Sequence, residues 1–549
     1  MKMNVVKRLL VLGISTTMIL GALTGCGETE KNNEVVQGSA SENQSSVGQE
    51  TKQEEKQKEP VTLEWYYRGN GQQADTEEVE ARINELLKDY PGLEHVSINL
   101  NCYPSSDYAT QVSLAQTSGL QIDILNSVSL DFNRNVRDGS WMPLNDLISD
   151  ELRAELPEWL WELGSVNGNT YIVPNYQNAF NAAYIFFPKE YMDKYGDYDE
   201  MYATLTNWDL NITERVKCLE EYVYAVRKGE ETDEKYAMRL DVNDTGSLGY
   251  YFITPYDHLN SRFIVKNNGE HKVEYLFTSD EMKELYSIYA DWSDKGIISP
   301  DGLKTDYTSI AYANMLNDRS TVFTPKEQVG SPEYVSGIYG KAWGMDLVAI
   351  PIQEYDYVGN SWGAGGNGVS ATCENPEEAI KFIEALTTGT EIGKEIYNTV
   401  VFGIEGKHYE KDANDPNRIT TLEYEGSQGG GDTSYAAMKW IMGNSFYAYK
   451  NQAVIDGQFE NIKKYNEAPE TQSSDHNGFV IDTSKVSVQL DQINVLYEEF
   501  VPTLLMGVAG EGWEELYNEY VKKLEVAGVN EVMAEFQAQL DAWLQANGK

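Results

Sequence analysis

Cysteine is scarce in this chain: four in 549 residues, with no CxxC pair among Cys26, Cys102, Cys218 and Cys373. That spacing excludes a disulfide framework and a zinc knuckle; beyond Cys26 the thiols read as free and buried, with one bridge left open. Only five histidines occur, and there is neither an HExxH nor a GxSxG motif, so zinc-protease and nucleophile-elbow chemistry have no foothold. Lys and Arg total 43 against 87 Asp and Glu, a formal charge of −44, which argues against nucleic acid or anionic lipid as ligand and mostly serves solubility. Past residue 23 no apolar run approaches the ~18 residues that a membrane span needs.

What is present starts with Lys2, Lys7 and Arg8, then an almost wholly apolar Leu9–Leu23, then Leu23-Thr24-Gly25-Cys26. The apolar core is too short and wrongly flanked for a stable span, so residues 1–25 read as a signal peptide. The tetrapeptide resembles the lipobox of bacterial lipoproteins, which implies cleavage before Cys26 and a diacylglycerol on its thiol. Losing Lys2, Lys7 and Arg8 leaves 40 basic residues against 87 acidic ones, or about −47. From Gly27 to Pro60 Glu, Lys, Gln, Asn and Ser dominate and no aromatic residue occurs. Such a stretch cannot offset its chain entropy and reads as a disordered acidic tether (26–60 with the cysteine), with a reach of roughly 30 Å. From Val61 onward nearly 490 residues carry mixed periodicity, enough for two lobes with separate cores.

The folded part opens as strand and helix in alternation. Val61 to Trp65 reads as a strand, Asp75 with Glu78 as a capping-box-like helix start, and Val79, Ile83, Leu86, Leu87 and Tyr90 keep helical spacing. Val96, Ile98, Leu100 and Cys102 alternate as a strand, Tyr108 to Gln116 as a helix, and Ile122 to Leu125 as a short strand. This order predicts a parallel α/β sheet whose ligands sit beyond the carboxyl ends of the strands. Gly69, Gly71 and Ala74 match a dinucleotide fingerprint by spacing, but the next strand ends in Tyr103, Pro104, Ser105 and Ser106, without the acid that would take ribose hydroxyls. The glycines read instead as a turn that brings the backbone close to another ligand, and Gly429–Gly431, lacking GK[ST], as a loop. Asp241, Asn243 and Asp244 lack the full calcium-loop spacing and read as a turn. "YIVP" at 171–174 and "TVFTP" at 321–325 read as paired crossings between two lobes, with helical patterns such as Glu214–Arg227 and Glu281–Ser293 between them. Glu377–Leu386, Trp513–Leu524 and Val532–Leu544 give the last third a helical character.

The lipobox, the tether, "EWYYRGNG" and five ordered stretches, "NPEEAIKFIEAL", "VFGIEGKHYEK", "WIMGNSF", "GFVIDTSKV" and "YVKKLEVAGVNEVMAEFQAQLDAWL", resemble family 1 extracellular solute-binding lipoproteins of carbohydrate importers, in the LipO-like branch with a C-terminal domain of formerly unknown function. The resemblance spans nearly the whole mature chain and is weaker over 178–320. It implies a type II periplasmic-binding-protein (Venus flytrap) α/β fold of two lobes with a helical C-terminal region: lobe 1 from 61–173 and 321–367, lobe 2 from 174–320 and 368–549. It also implies a monomer on the outer face of the cytoplasmic membrane that passes an oligosaccharide to the permease subunits of an ABC transporter, without catalysis, cofactor or metal. His408, in "GIEGKHYE", falls in a motif read as structural.

A sugar offers flat C–H faces and a rim of hydroxyls, which suits aromatic platforms and fixed polar partners, and the chain holds 37 Tyr and 11 Trp. Position selects Trp65, Tyr66, Tyr67 and Asn70 after the first strand, Ser105, Ser106, Asp107 and Tyr108 after the second, and Asn126 and Ser127 after the third. Asn360, Ser361 and Trp362 sit in a glycine-rich loop where the resemblance also places ligand contacts. Trp208, Tyr250, Tyr251, Trp343, Trp440, Asn444 and Phe446 form a second rank, weighed against plain packing. The alternatives are a receptor for peptide or another polar solute, a surface glycosidase, which would need paired carboxylates, or an adhesive protein. Replacing Cys26 by Ser is expected to release the protein into the medium; a variant that stays with the membrane fraction removes the lipobox assignment.

Overall fold

Strand β1 (Val61–Gly69) places aromatic side chains at three consecutive positions, and both of its faces are covered. The computed structural model describes residues 58–130, 132–179, 182–231, 238, 256–260, 262–298, 323–328, 331–353, 357–358, 365–422, 435, 442–452, 454–467 and 472–549. The signal peptide, Cys26, the tether as far as residue 57, and the Asp241–Asp244 turn lie outside the described residues. β1 pairs in parallel with β2 (Val96–Pro104) from Val61 opposite Val96 to Gly69 opposite Pro104, and with β3 (Ile124–Asn126) through Trp65 opposite Ile124. Residues 366–369 and 173–174 extend the sheet antiparallel beyond β3. β2 alternates as expected, with Val96, Ile98, Leu100 and Cys102 inward. Helix α1 (Thr76–Leu87) buries Val79, Ile83, Leu86 and Leu87, and α2 (Tyr108–Ser118) buries Tyr108, Val112 and Ala115.

Asp75 makes no side-chain cap to α1. Its carboxylate is turned to Lys407 and His408 instead, since a charge-assisted bond outweighs a neutral capping bond.

The second lobe centres on the strand Ala182–Pro188, flanked antiparallel by 323–328 and 347–351. Helices Ile212–Gly229, opened by an Asn211/Glu214 capping box, and Asp280–Asp294 cover it, together with a three-stranded sheet of 256–260, 263–266 and 273–275. The C-terminal helices Ser487–Leu505, Trp513–Ala527 and Val529–Asn547 join the same core. No described helix is long and apolar enough to cross a membrane.

The cores divide the chain differently from the sequence expectation. One core gathers residues from Leu63 to Ala179 with Val369 to Ala448; the other gathers Ala183 to Ile298 with Ile350, Ile352 and Phe479 to Leu544. Helices Pro376–Thr387 and Glu391–Phe402, assigned to lobe 2 from sequence, therefore pack in lobe 1, because their apolar faces meet β1 and α1. Nor is "TVFTP" a crossing. From Phe323 to Gln328 the backbone pairs with Phe186 to Ala182 inside lobe 2, and the chain returns to lobe 1 between Ile352 and Gly366.

Buried Asp257 fastens the start of the C-terminal region to lobe 2. Its Oδ2 accepts from Ser474 Oγ at 2.5 Å and lies 2.6 Å from His476 Nδ1, whose other nitrogen is 3.0 Å from His271 Nδ1. Cys102, Cys218 and Cys373 are free thiols; burial pushes Cys102 up to about 11 and the other two up to about 12.

Gly507 ends a C-terminal helix with φ +62°, and a Cβ there would lie 1.9 Å from the Tyr289 carbonyl oxygen. Gly507→Ala is expected to destabilise the chain by at least about 2 kcal/mol, whereas Gly512→Ala, with open space around it, should stay within about 0.5. Denaturant unfolding of both variants measures the difference.

Candidate functional site

The carboxyl ends of β1, β2 and β3 lie side by side and present Arg68 to Asn70, Tyr103 to Asp107, and Asn126 to Ser129 along one edge of the sheet. Successive side chains on a strand point to opposite faces, and a parallel sheet is covered on both. Trp65 and Tyr67 consequently pack in the core beneath α1 and Phe382, with Trp65 and Tyr67 ring centroids 4.5 Å apart. Tyr66 packs on the opposite face against Tyr103. None of the three forms an exposed platform for a sugar, contrary to the sequence expectation.

Tyr108 and Asn126 are also wholly buried. The Tyr108 hydroxyl reaches the carbonyl oxygens of Tyr66 (3.0 Å) and Asn126 (2.6 Å), so it ties the ends of β1 and β3 together. Asn126 Nδ2 donates to Asn367 Oδ1 at 3.2 Å, which also accepts from Trp65 Nε1 at 3.1 Å. These residues form a rigid polar framework under the edge. The groups that reach the surface there are Ser105, Ser106 and Asp107, together with half-buried Arg68, Asn70 and Tyr103. Arg68 Nε donates to Ser105 Oγ at 2.6 Å, and desolvation lowers the guanidinium from its ordinary value. Arg68, Tyr103 and Asn367 were not among the residues selected from sequence. The "WYYR" ending of β1 carried a signal for Arg68, whereas Asn367 acquires its role only from strand pairing.

The glycines of the first turn answer to packing. A Cβ on Gly69 would sit 2.5 Å from Cys102 Sγ, and Gly71 has φ +86° with the Pro104 ring 3.3 Å away. Close approach of β2 therefore sets the shape of this turn.

Other candidates fall elsewhere. Asn444 is buried beside the first crossing, where its Oδ1 accepts from Phe446 N–H and its Nδ2 donates to Glu155 Oε1 at 3.1 Å; Phe446 packs edge-on to Tyr176. Trp208 lies in lobe 2 with the Arg215 guanidinium 4.1 Å over its ring, a packing role. Trp343 is the last residue of the helix Pro332–Trp343, and its side chain lies outside the described residues, as do Tyr250, Tyr251, Asn360, Ser361, Trp362 and Trp440. No group of three or more metal-ligating side chains occurs among the described residues.

The first crossing is held by the helix Gln458–Asn466. Asn466 Nδ2 donates to the Gln177 carbonyl (2.6 Å), and its Oδ1 accepts from Ala179 N–H (3.2 Å). On the lobe 2 side, the Tyr334 hydroxyl donates to the Gln458 carbonyl and Lys341 Nζ to the Val454 carbonyl.

This architecture, two α/β lobes joined by crossing segments, is the fold of the type II solute-binding proteins. A carbohydrate ABC transporter substrate-binding protein from Streptococcus pneumoniae serotype 4 is 23% identical over 486 residues, covering 85% of this chain and 88% of that one. The crystal structure of the N-glycan transport solute binding protein NgtS from S. pneumoniae superposes with a TM-score of 0.70 at 21% identity, covering 89% of this chain and 100% of that one. Its complex with Man5GlcNAc gives 0.59 at 22% identity, covering 89% and 99%. S. pneumoniae FusA in complex with kestose gives 0.53 at 17% identity, covering 88% and 100%. A family described as a domain of unknown function (DUF3502) matches residues 476–545, the stretch that carries most of the C-terminal helices. The resemblance drawn from the sequence motifs thus has counterparts in fold and in sequence along the chain.

His408 clamps the turn beyond β1. Its Nδ1 accepts from Ile404 N–H at 2.8 Å, which leaves the proton on Nε2, 3.2 Å from Asp75 Oδ2. Burial, partly opposed by Asp75, holds His408 below its ordinary value. The folded state therefore keeps it neutral while the unfolded chain takes up a proton near pH 6.5. Its contribution is complete above about pH 6.5 and falls as pH drops below that value. Unfolding midpoints at pH 7.5 and 5 should show a larger loss for the wild type than for His408→Gln.

Proposed function

We propose that this chain is an extracellular receptor that captures an oligosaccharide between its lobes and delivers it to the permease of an ABC transporter. The observation that carries this reading is the fold match along both chains to NgtS, with a TM-score of 0.70. The complexes of similar proteins with Man5GlcNAc and kestose support an oligosaccharide as the ligand class. The surface groups at the strand ends, chiefly amide, hydroxyl and guanidinium, suit a polyol, which needs donors and acceptors set at fixed positions. Two lobes joined by crossing segments suit hinge closure, which would present a closed form to the membrane partner.

In this proposal the chain works as a monomer without chemistry of its own, held to the outer face of the cytoplasmic membrane through lipid on Cys26. The tether then gives the lobes room to reach the permease. Anchoring also keeps a captured ligand close to its transporter by raising the effective concentration.

Calorimetric titration of the full chain with Man5GlcNAc, kestose and related oligosaccharides, followed by chromatography of the ligand, tests the reading. Saturable binding with the glycan recovered intact is expected. Cleaved glycan would make the chain a glycosidase, and no binding across the panel, with binding of peptides, would make it a peptide receptor.

A further inference from the structure

Asn367 lies second in the strand Gly366–Val369, which runs antiparallel to β3, so it sits directly opposite Asn126 at the carboxyl end of that strand. Its side chain accepts twice through Oδ1, from Trp65 Nε1 and from Asn126 Nδ2. An indole nitrogen only donates. Asn126 is oriented in turn by Val128 N–H, which donates to its Oδ1 at 3.1 Å. The Asn367 amide therefore has a single orientation, with Oδ1 toward this pair and Nδ2 directed away. Asn367 is 1% exposed, and Nδ2 is buried with no hydrogen-bond partner among the described residues.

An amide group that is buried, without a protein partner and held in one orientation is uncommon in a folded protein. Here it stands at the sheet edge where this fold takes its ligands. Resting on the receptor reading above, we propose that Asn367 Nδ2 is a specificity-determining ligand contact, which donates to an oxygen acceptor of the bound sugar once hinge opening admits it. The chemistry of the contact is definite. A hydroxyl or ring oxygen completes the donor; an ammonium or guanidinium group, which only donates, leaves it unpaired and is rejected at this position. Because Trp65 and Asn126 already hold the amide, no reorganisation is needed when the acceptor arrives.

Asn367→Asp separates this role from a structural one. The carboxylate still accepts from Trp65 and Asn126 but no longer offers the donor. Wild type and variant are titrated with Man5GlcNAc and with its single-deoxy analogues, and their thermal midpoints are recorded. The expected result is a lowered midpoint with cooperative unfolding retained, because a carboxylate at this buried position costs stability, an affinity for Man5GlcNAc about tenfold weaker in the variant (1.4 kcal/mol), and one deoxy analogue that loses affinity in the wild type but loses none further in the variant. Unchanged affinity in the variant overturns the inference, as does an equal loss for the parent glycan and every analogue, which would report loosened packing. If the aspartate variant fails to fold, Asn367→Ser is carried through the same cycle. A wild-type chain that binds no glycan overturns the receptor reading and the inference with it, whereas binding without coupling overturns the inference alone.

Discussion

One side-chain oxygen, Oδ1 of Asn367, accepts hydrogen bonds from Trp65 and Asn126, residues 302 and 241 positions away in the chain. Through it the first strand, the third strand and a strand from the chain's return to lobe 1 are fixed relative to one another. The Tyr108 hydroxyl repeats the linkage on the opposite face by reaching the carbonyls of Tyr66 and Asn126. Both clusters are buried, where an unmade bond costs about 1 to 3 kcal/mol, so alternative registers of the sheet are penalised. The edge at which ligands bind in this fold inherits its geometry from these bonds, and the aromatic side chains of β1 serve as the foundation for that edge.

The same constraint explains the division of the chain into lobes. A strand at 366–369 must pair with β3, so the two helices that follow it are delivered to the lobe 1 core, and the chain has to cross a third time to reach its C-terminal helices. The helix Gln458–Asn466 is placed on that third passage and holds the first crossing through Asn466. At its far end, Asp257 gathers Ser474 and His476 where the chain re-enters lobe 2. Among the described residues, the backbone just before the first crossing and the start of the C-terminal region are thus each held by side-chain hydrogen bonds to a different part of the chain.

Much of the local structure was legible in the order of the residues. The alternation Val96, Ile98, Leu100, Cys102 and the helical spacing of Val79, Ile83, Leu86 and Leu87 follow from the two periods of backbone geometry, and the structure shows both. Composition could not tell which aromatic residues are core. Trp65 and Tyr67 look like a binding platform when only their position after a strand is known, yet helices from 300 residues later cover them. Asp75 looked like a helix cap because Lys407 and His408, its true partners, are remote in sequence.

Residue order alone carried the opening strands and helices, the parallel start of the sheet and the acidic, aromatic-rich character of the chain, because these depend on composition and on neighbours within a few residues. The fold match to sugar receptors was foreshadowed by motifs spread along the chain. Where one lobe ends and the next begins, which glycines answer to packing, and which amide beside the strand ends is left with a donor to offer were set by long-range packing. Those outcomes depend on hydrogen bonds and contacts between residues hundreds of positions apart, and no local period records them.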